Sequence, residues 1–105
     1  MTTNESLDKL LVDYLGGSKP TMVEFYDPNC DKCLKTIPVL GELRDKFTGR
    51  ANVVAVDKDA SGDLVQKYHV HSYPTFILFK DGQEVWRDGG AKPLSELTDM
   101  IHRFE

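Results

Sequence analysis

Nothing in this 105-residue chain approaches the run of about 20 apolar residues that a membrane-spanning helix needs. Excess positive charge is also missing. Thirteen lysines and arginines face seventeen aspartates and glutamates, and the net charge of −4 argues against non-specific binding to nucleic acid or to an anionic membrane. The N-terminal stretch MTTNESLDKLL lacks a basic region followed by an apolar core, so no secretory leader is expected and a cytoplasmic location is. No repeat, low-complexity segment or linker divides the chain, and its length suits one domain over residues 1–105, expected to be a monomer. Cysteine is nearly absent. The chain has two, both within FYDPNCDKCLKTIP at residues 25–38. In a reducing compartment, a single pair of thiols two residues apart points to catalysis, redox sensing or metal binding before a structural staple.

What is present alternates between two periods. Leu7, Leu10, Leu11, Tyr14 and Leu15 predict a helix over residues 4–15, ended by Gly16 and Gly17. TMVEFY at 21–26 predicts a strand with apolar residues on both faces, hence a central one. A second helix begins at the cysteines. Its stripe of Leu34, Ile37, Leu40, Leu43 and Phe47 is interrupted by Pro38, which is expected to kink it. Further strands are predicted at 52–57, 75–80 and 83–88, with a short helix near 63–68 and a last helix opened by Pro93. Asp81-Gly82 marks a hairpin. The order is α-β-α-β-α-β-β-α, an α/β fold with a mixed four-stranded sheet and helices on both faces. Strands joined through helices are expected to run parallel, and the last pair antiparallel.

That order puts Cys30 at the start of a helix, just past the C-terminal end of a central strand, where open α/β sheets place their chemistry. A helix N-terminus offers unpaired N–H groups and partial positive charge, both of which favour a thiolate. Cys33 lies one turn on, within reach of a disulfide. Cys30, at the exposed position, is the candidate nucleophile and Cys33 the resolving thiol. Of the nearby charges, Lys32 stabilises a thiolate while Asp27 and Asp31 oppose it, and the sign of their sum stays open. Glu24 stands in an apolar strand six residues before Cys30. Buried there, its pKa is expected to rise towards neutrality, which suits proton exchange.

Taken together, VEFYDPNCDKC, Pro38, YPTFILFKDG and Gly90-Ala91 resemble the thioredoxin family over residues 21–105. The resemblance implies the thioredoxin fold and a protein-disulfide oxidoreductase working by dithiol–disulfide exchange. It implies that the Pro74 peptide is cis, and that Tyr73, Pro74, Asn29 and Gly90 line the surface where a substrate chain docks. Glu24 would be the buried acid/base that deprotonates Cys33. No bound cofactor is implied, since the redox centre is the Cys30–Cys33 disulfide itself. Partners would be disulfide-containing proteins and a thioredoxin reductase-type electron donor.

The sequence departs from the family pattern at several points. Asn29-Cys30-Asp31-Lys32-Cys33 stands where Trp-Cys-Gly-Pro-Cys is usual, the buried acid is Glu rather than Asp, and an apolar residue around Val53 replaces a lysine near that acid. Asp31 and Lys32 are therefore candidates for tuning the redox couple. Val23-Glu24-Phe25-Tyr26 and Pro28 also resemble the catalytic domains of protein disulfide isomerase, although Lys32 occupies the place of their histidine. The alternatives are an isomerase or oxidase, a non-catalytic domain on the same fold, and a metal module in which His69 and His71 complete the ligand set.

Overall fold

In the computed structural model, the described residues are Asp13, Tyr14 and 17–105. The helix expected over 4–15 lies outside them except for Asp13 and Tyr14, which are helical. The remaining elements are β1 (Thr21–Tyr26), α1 (Asp31–Lys46), β2 (Asn52–Asp57), α2 (Gly62–Lys67), β3 (Thr75–Lys80), β4 (Gln83–Gly89) and α3 (Leu94–Arg103). The sheet order is β2-β1-β3-β4. This is the mixed four-stranded α/β architecture expected from the sequence.

The two faces of β1 seed two cores, as its buried apolar residues on both sides of the sheet require. Met22 packs with Leu40 and Leu43 of α1, Phe47 at its C-cap, and Leu97 and Ile101 of α3 on one face. Val23 and Phe25 pack with Leu64 and Val70 around α2 on the other. Trp86 lies against the first of these cores as a packing residue.

Two expectations need correction. The first concerns direction. β1 and β2 are parallel, but β3 is antiparallel to β1 and therefore to β2, although a helix joins β2 to β3. The reason is length. The six residues of α2 rise about 9 Å, against roughly 20 Å for a six-residue strand. The chain thus returns to the sheet at the edge it left, and Thr75 at the start of β3 pairs with Phe25 near the end of β1. The hairpin that follows is antiparallel, with Asp81 at φ 52° and Gly82 at φ 79° in its turn.

The second correction concerns the inner face of α1. Leu34 and Ile37 are 48% and 47% exposed, whereas Cys33, Thr36, Leu40 and Leu43 are buried. The inward stripe runs 33-36-40-43-47, with the spacing of three then four that one helix face demands. Its first two members are a cysteine and a threonine, so hydrophobicity alone pointed to their outward neighbours. The helix is continuous through Pro38.

This assignment has a direct test. Phe47→Ala is expected to lower the unfolding free energy by about 3–5 kcal/mol. Leu34→Ala and Ile37→Ala are each expected to change it by less than about 0.5 kcal/mol in urea denaturation.

Candidate active site

The C-terminal edge of β1 receives three segments: the start of α1, the turn after β2 and the loop before β3. Cys30 is the N-cap of α1, in extended conformation, and its Sγ accepts the Cys33 N–H at 3.3 Å. Its own carbonyl begins the helix ladder through Leu34 N at 3.0 Å. A sulfur in this position faces the positive end of the helix, where charge that develops on it is stabilised. Asp27 shapes the approach. Its carbonyl accepts from Cys30 N at 3.0 Å and its Oδ1 from Asn29 N at 2.9 Å.

The two thiols differ in access. Both are free, Cys30 is half-buried, and Cys33 has no exposed surface. Burial, reinforced by the hydrogen bond with Cys30, pushes the Cys33 thiol up to about 11. Asp31 and Lys32, between them, are both exposed. The negative charge of Glu24 is felt at Cys33 as a further, smaller upward push.

Glu24 lies on the sheet face under α1 and has no exposed surface. Desolvation raises its carboxyl from 4.5 to about 7, against an opposing pull from a hydrogen bond with Thr36. Thr36 Oγ1 is bonded to Glu24 Oε2, while Oε1 has no partner among the described residues. Sequence reasoning missed Thr36. The signal available was its place three residues after Cys33 on the inner helix face.

The loop before β3 completes the edge. The Tyr73–Pro74 peptide is cis, Pro74 is buried, and the Tyr73 carbonyl lies 4.0 Å from Cys30 Sγ. Gly90 N donates to Pro74 O at 2.9 Å, with Gly90 at φ 91°, a conformation glycine adopts without strain. A further cation, Lys58, stands 5.9 Å from the Tyr73 ring centre and pairs with Asp59 at 2.9 Å. The site thus brings together Cys30, Cys33, Glu24, Tyr73, Pro74 and Gly90, with Asn29, Asp31 and Lys32 exposed on its rim. His69 and His71 are exposed, and among the described residues no group of three or more histidines, cysteines or acids could hold a metal. No described helix is long and apolar enough to cross a membrane.

A dithiol across the first turn of a helix, beside a cis-proline loop and above a buried acid, defines the class of thiol–disulfide exchange domains. Comparison narrows the class. A family model for thioredoxin matches residues 1–103. The chain is 34% identical to thioredoxin C-2 of Corynebacterium nephridii, over 95% of this chain and 90% of that one. It is 36% identical to the chloroplastic thioredoxin Y2 of Arabidopsis thaliana, over 94% of this chain and 58% of that one, so it spans little more than half of that relative. The crystal structure of a thioredoxin from Nicotiana alata superposes with a TM-score of 0.88 at 29% identity, covering 98% of this chain and 88% of that one. The chain belongs to the thioredoxin family of thiol–disulfide oxidoreductases, whose redox chemistry uses paired cysteines and no cofactor.

The buried carboxyl makes stability depend on pH. Its folded-state pKa lies above the unfolded value, so its contribution is fully present below about 4.5 and is lost as pH rises through about 7. Glu24→Gln is expected to remove that slope. Between about pH 5 and about pH 8, the reduced variant should gain on the order of 3 kcal/mol relative to reduced wild type. Denaturant titrations at both pH values check this, and parallel stability profiles would contradict it.

Proposed function

We propose that this protein is a disulfide reductant in which Cys30 is the attacking thiol, Cys33 the resolving thiol and Glu24 the base that serves Cys33. The difference in access carries the reading: Cys30 caps the helix with part of its surface open, and Cys33 is sealed beneath it. A bulky protein disulfide can meet only the first.

The cycle follows from these positions. A disulfide-bearing chain lies against the Tyr73-Pro74 loop and Gly90, with Asn29 at the rim. The Cys30 thiolate attacks one substrate sulfur. A Cys30–substrate disulfide forms, the substrate disulfide breaks, and the first substrate thiolate leaves. The Cys33 proton then passes to the Glu24 carboxylate. The Cys33 thiolate attacks Cys30 Sγ, which forms the Cys30–Cys33 disulfide and releases the second substrate thiol. Two electrons have moved from the protein to the substrate. A thioredoxin reductase-type donor returns them, as is general in the family. A carboxyl titrating near 7 supports the proton step, because it can accept and return a proton at neutral pH.

The reductant direction suits a reducing compartment such as the cytoplasm. Asp31 and Lys32 are the residues proposed to tune the potential, since they alone separate the two thiols in the chain. A Cys33→Ser variant treated with a disulfide-containing peptide is expected to stop at a mixed disulfide on Cys30, seen as one added peptide by mass spectrometry. Cys30→Ser should form no adduct, and both variants should lose turnover to background. A stable adduct on Cys33 of the Cys30→Ser variant would reverse the assignment.

A further inference from the structure

The Glu24 carboxyl shares its site with few groups. On the same sheet face, its neighbours in register are Ala55 of β2 and Phe76 of β3, neither of which titrates. From α1 it meets Thr36, and its charge is felt at the Cys33 thiol, which is itself hydrogen-bonded with Cys30. On its own strand Tyr26 feels its charge, and Asp57 of β2 adds a second negative charge at Tyr26. Thr36 is its one hydrogen-bond partner among the described residues.

The Thr36 hydroxyl has two close neighbours, Glu24 Oε2 and, at 2.6 Å, the carbonyl oxygen of Cys33. A hydroxyl carries a single proton, and a carbonyl oxygen only accepts. Both contacts can be hydrogen bonds at once only when Glu24 is protonated: the acid donates to Oγ1, and Oγ1 donates to Cys33. When Glu24 is ionised, the hydroxyl can turn its proton to Oε2. The Cys33 carbonyl then keeps its place in the helix ladder. One rotating O–H thus gives the buried carboxyl a partner in both of its states.

We propose that Thr36 is the positioning residue for the proton exchange between Glu24 and Cys33, donating to the carboxylate before transfer and accepting from the carboxylic acid after it. This rests on the reading of Glu24 as the base for Cys33. As Cys33 Sγ–H gives its proton to Glu24 Oε2, the Thr36 proton swings from Oε2 to the Cys33 carbonyl, and the new Oε2–H donates to Thr36 Oγ1. No electrons move in this step, and the sulfur freed of its proton then attacks Cys30. The hydroxyl takes over part of the task that a cation would perform beside a buried carboxylate, with the difference that it also suits the neutral acid.

The two sulfur steps can be timed separately with an aromatic disulfide in excess over the reduced protein. The first aromatic thiolate released reports attack by Cys30, and the second reports Cys33 expelling the aromatic group from Cys30. Hydrogen bonds to a charged group exceed those to a neutral one, so losing the hydroxyl should destabilise the carboxylate more than the acid. In Thr36→Val, the pH midpoint of the second release is expected to move up by roughly one unit or more, with the first release unchanged. Thr36→Ala, which relieves any crowding by the valine methyl, should move it the same way. Thr36→Ser should restore the wild-type midpoint. Wild-type midpoints in both Thr36→Val and Thr36→Ala would overturn the proposal, and so would failure of Thr36→Ser to restore. Glu24→Gln should abolish the neutral-pH inflection of the second release. If that inflection persists in Glu24→Gln, the reading of Glu24 falls and the role of Thr36 with it. If Glu24→Gln abolishes it while the Thr36 variants keep the wild-type midpoint, only the role of Thr36 falls.

Discussion

A carboxyl group sealed inside a hydrophobic sheet face, one hydroxyl its only hydrogen-bond partner among the described residues, governs much of what surrounds it. Glu24 sits in β1, which is paired on both edges, and has no exposed surface. An isolated carboxylate there is strongly disfavoured, so the group titrates near neutrality instead. A reactive dithiol benefits from that property. The buried thiol Cys33 is held well above its ordinary range and needs a base close by to lose its proton at neutral pH. In the proposed cycle, the cost of burying one residue becomes the means of activating another.

The fold supplies the remaining geometry through one topological detail. Because α2 is too short to carry the chain back along the sheet, β3 starts at the edge where β1 ends. That places the cis Tyr73–Pro74 peptide opposite the N-cap of α1, with the Tyr73 carbonyl facing Cys30 Sγ. The bond from Gly90 N to Pro74 O holds the far side of the loop. Thiols, acid and cis-proline backbone meet at one sheet edge, although they come from four separate stretches of sequence.

Much of this was legible in the sequence. The apolar runs at 21–26, 52–57 and 75–80 match the strands, Asp81-Gly82 marks the hairpin, and the CxxC falls at a helix start. Glu24 announced itself as a charge among apolar neighbours on both sides. The direction of β3 was not legible, because strand order and sense depend on how far α2 reaches, and hydrophobic period carries no such length information. Nor was the inner face at the start of α1. There a cysteine and a threonine stand where a core would place aliphatic residues, so Leu34 and Ile37 drew the stripe to the wrong side. Thr36 was hidden for the same reason: its value lies in a hydroxyl partner across the core, and only the fold supplies that partner.

The most direct test of this account is the titration of Glu24 itself. In reduced protein carrying carbon-13 at the glutamate carboxyls, the Glu24 resonance can be followed by NMR across the pH range and assigned by its loss in Glu24→Gln. The account predicts a midpoint near 7, well above the ordinary carboxyl. A midpoint near 4.5 would mean that the buried site does not hold the proton, and would contradict the role of Glu24 as the neutral-pH base for Cys33.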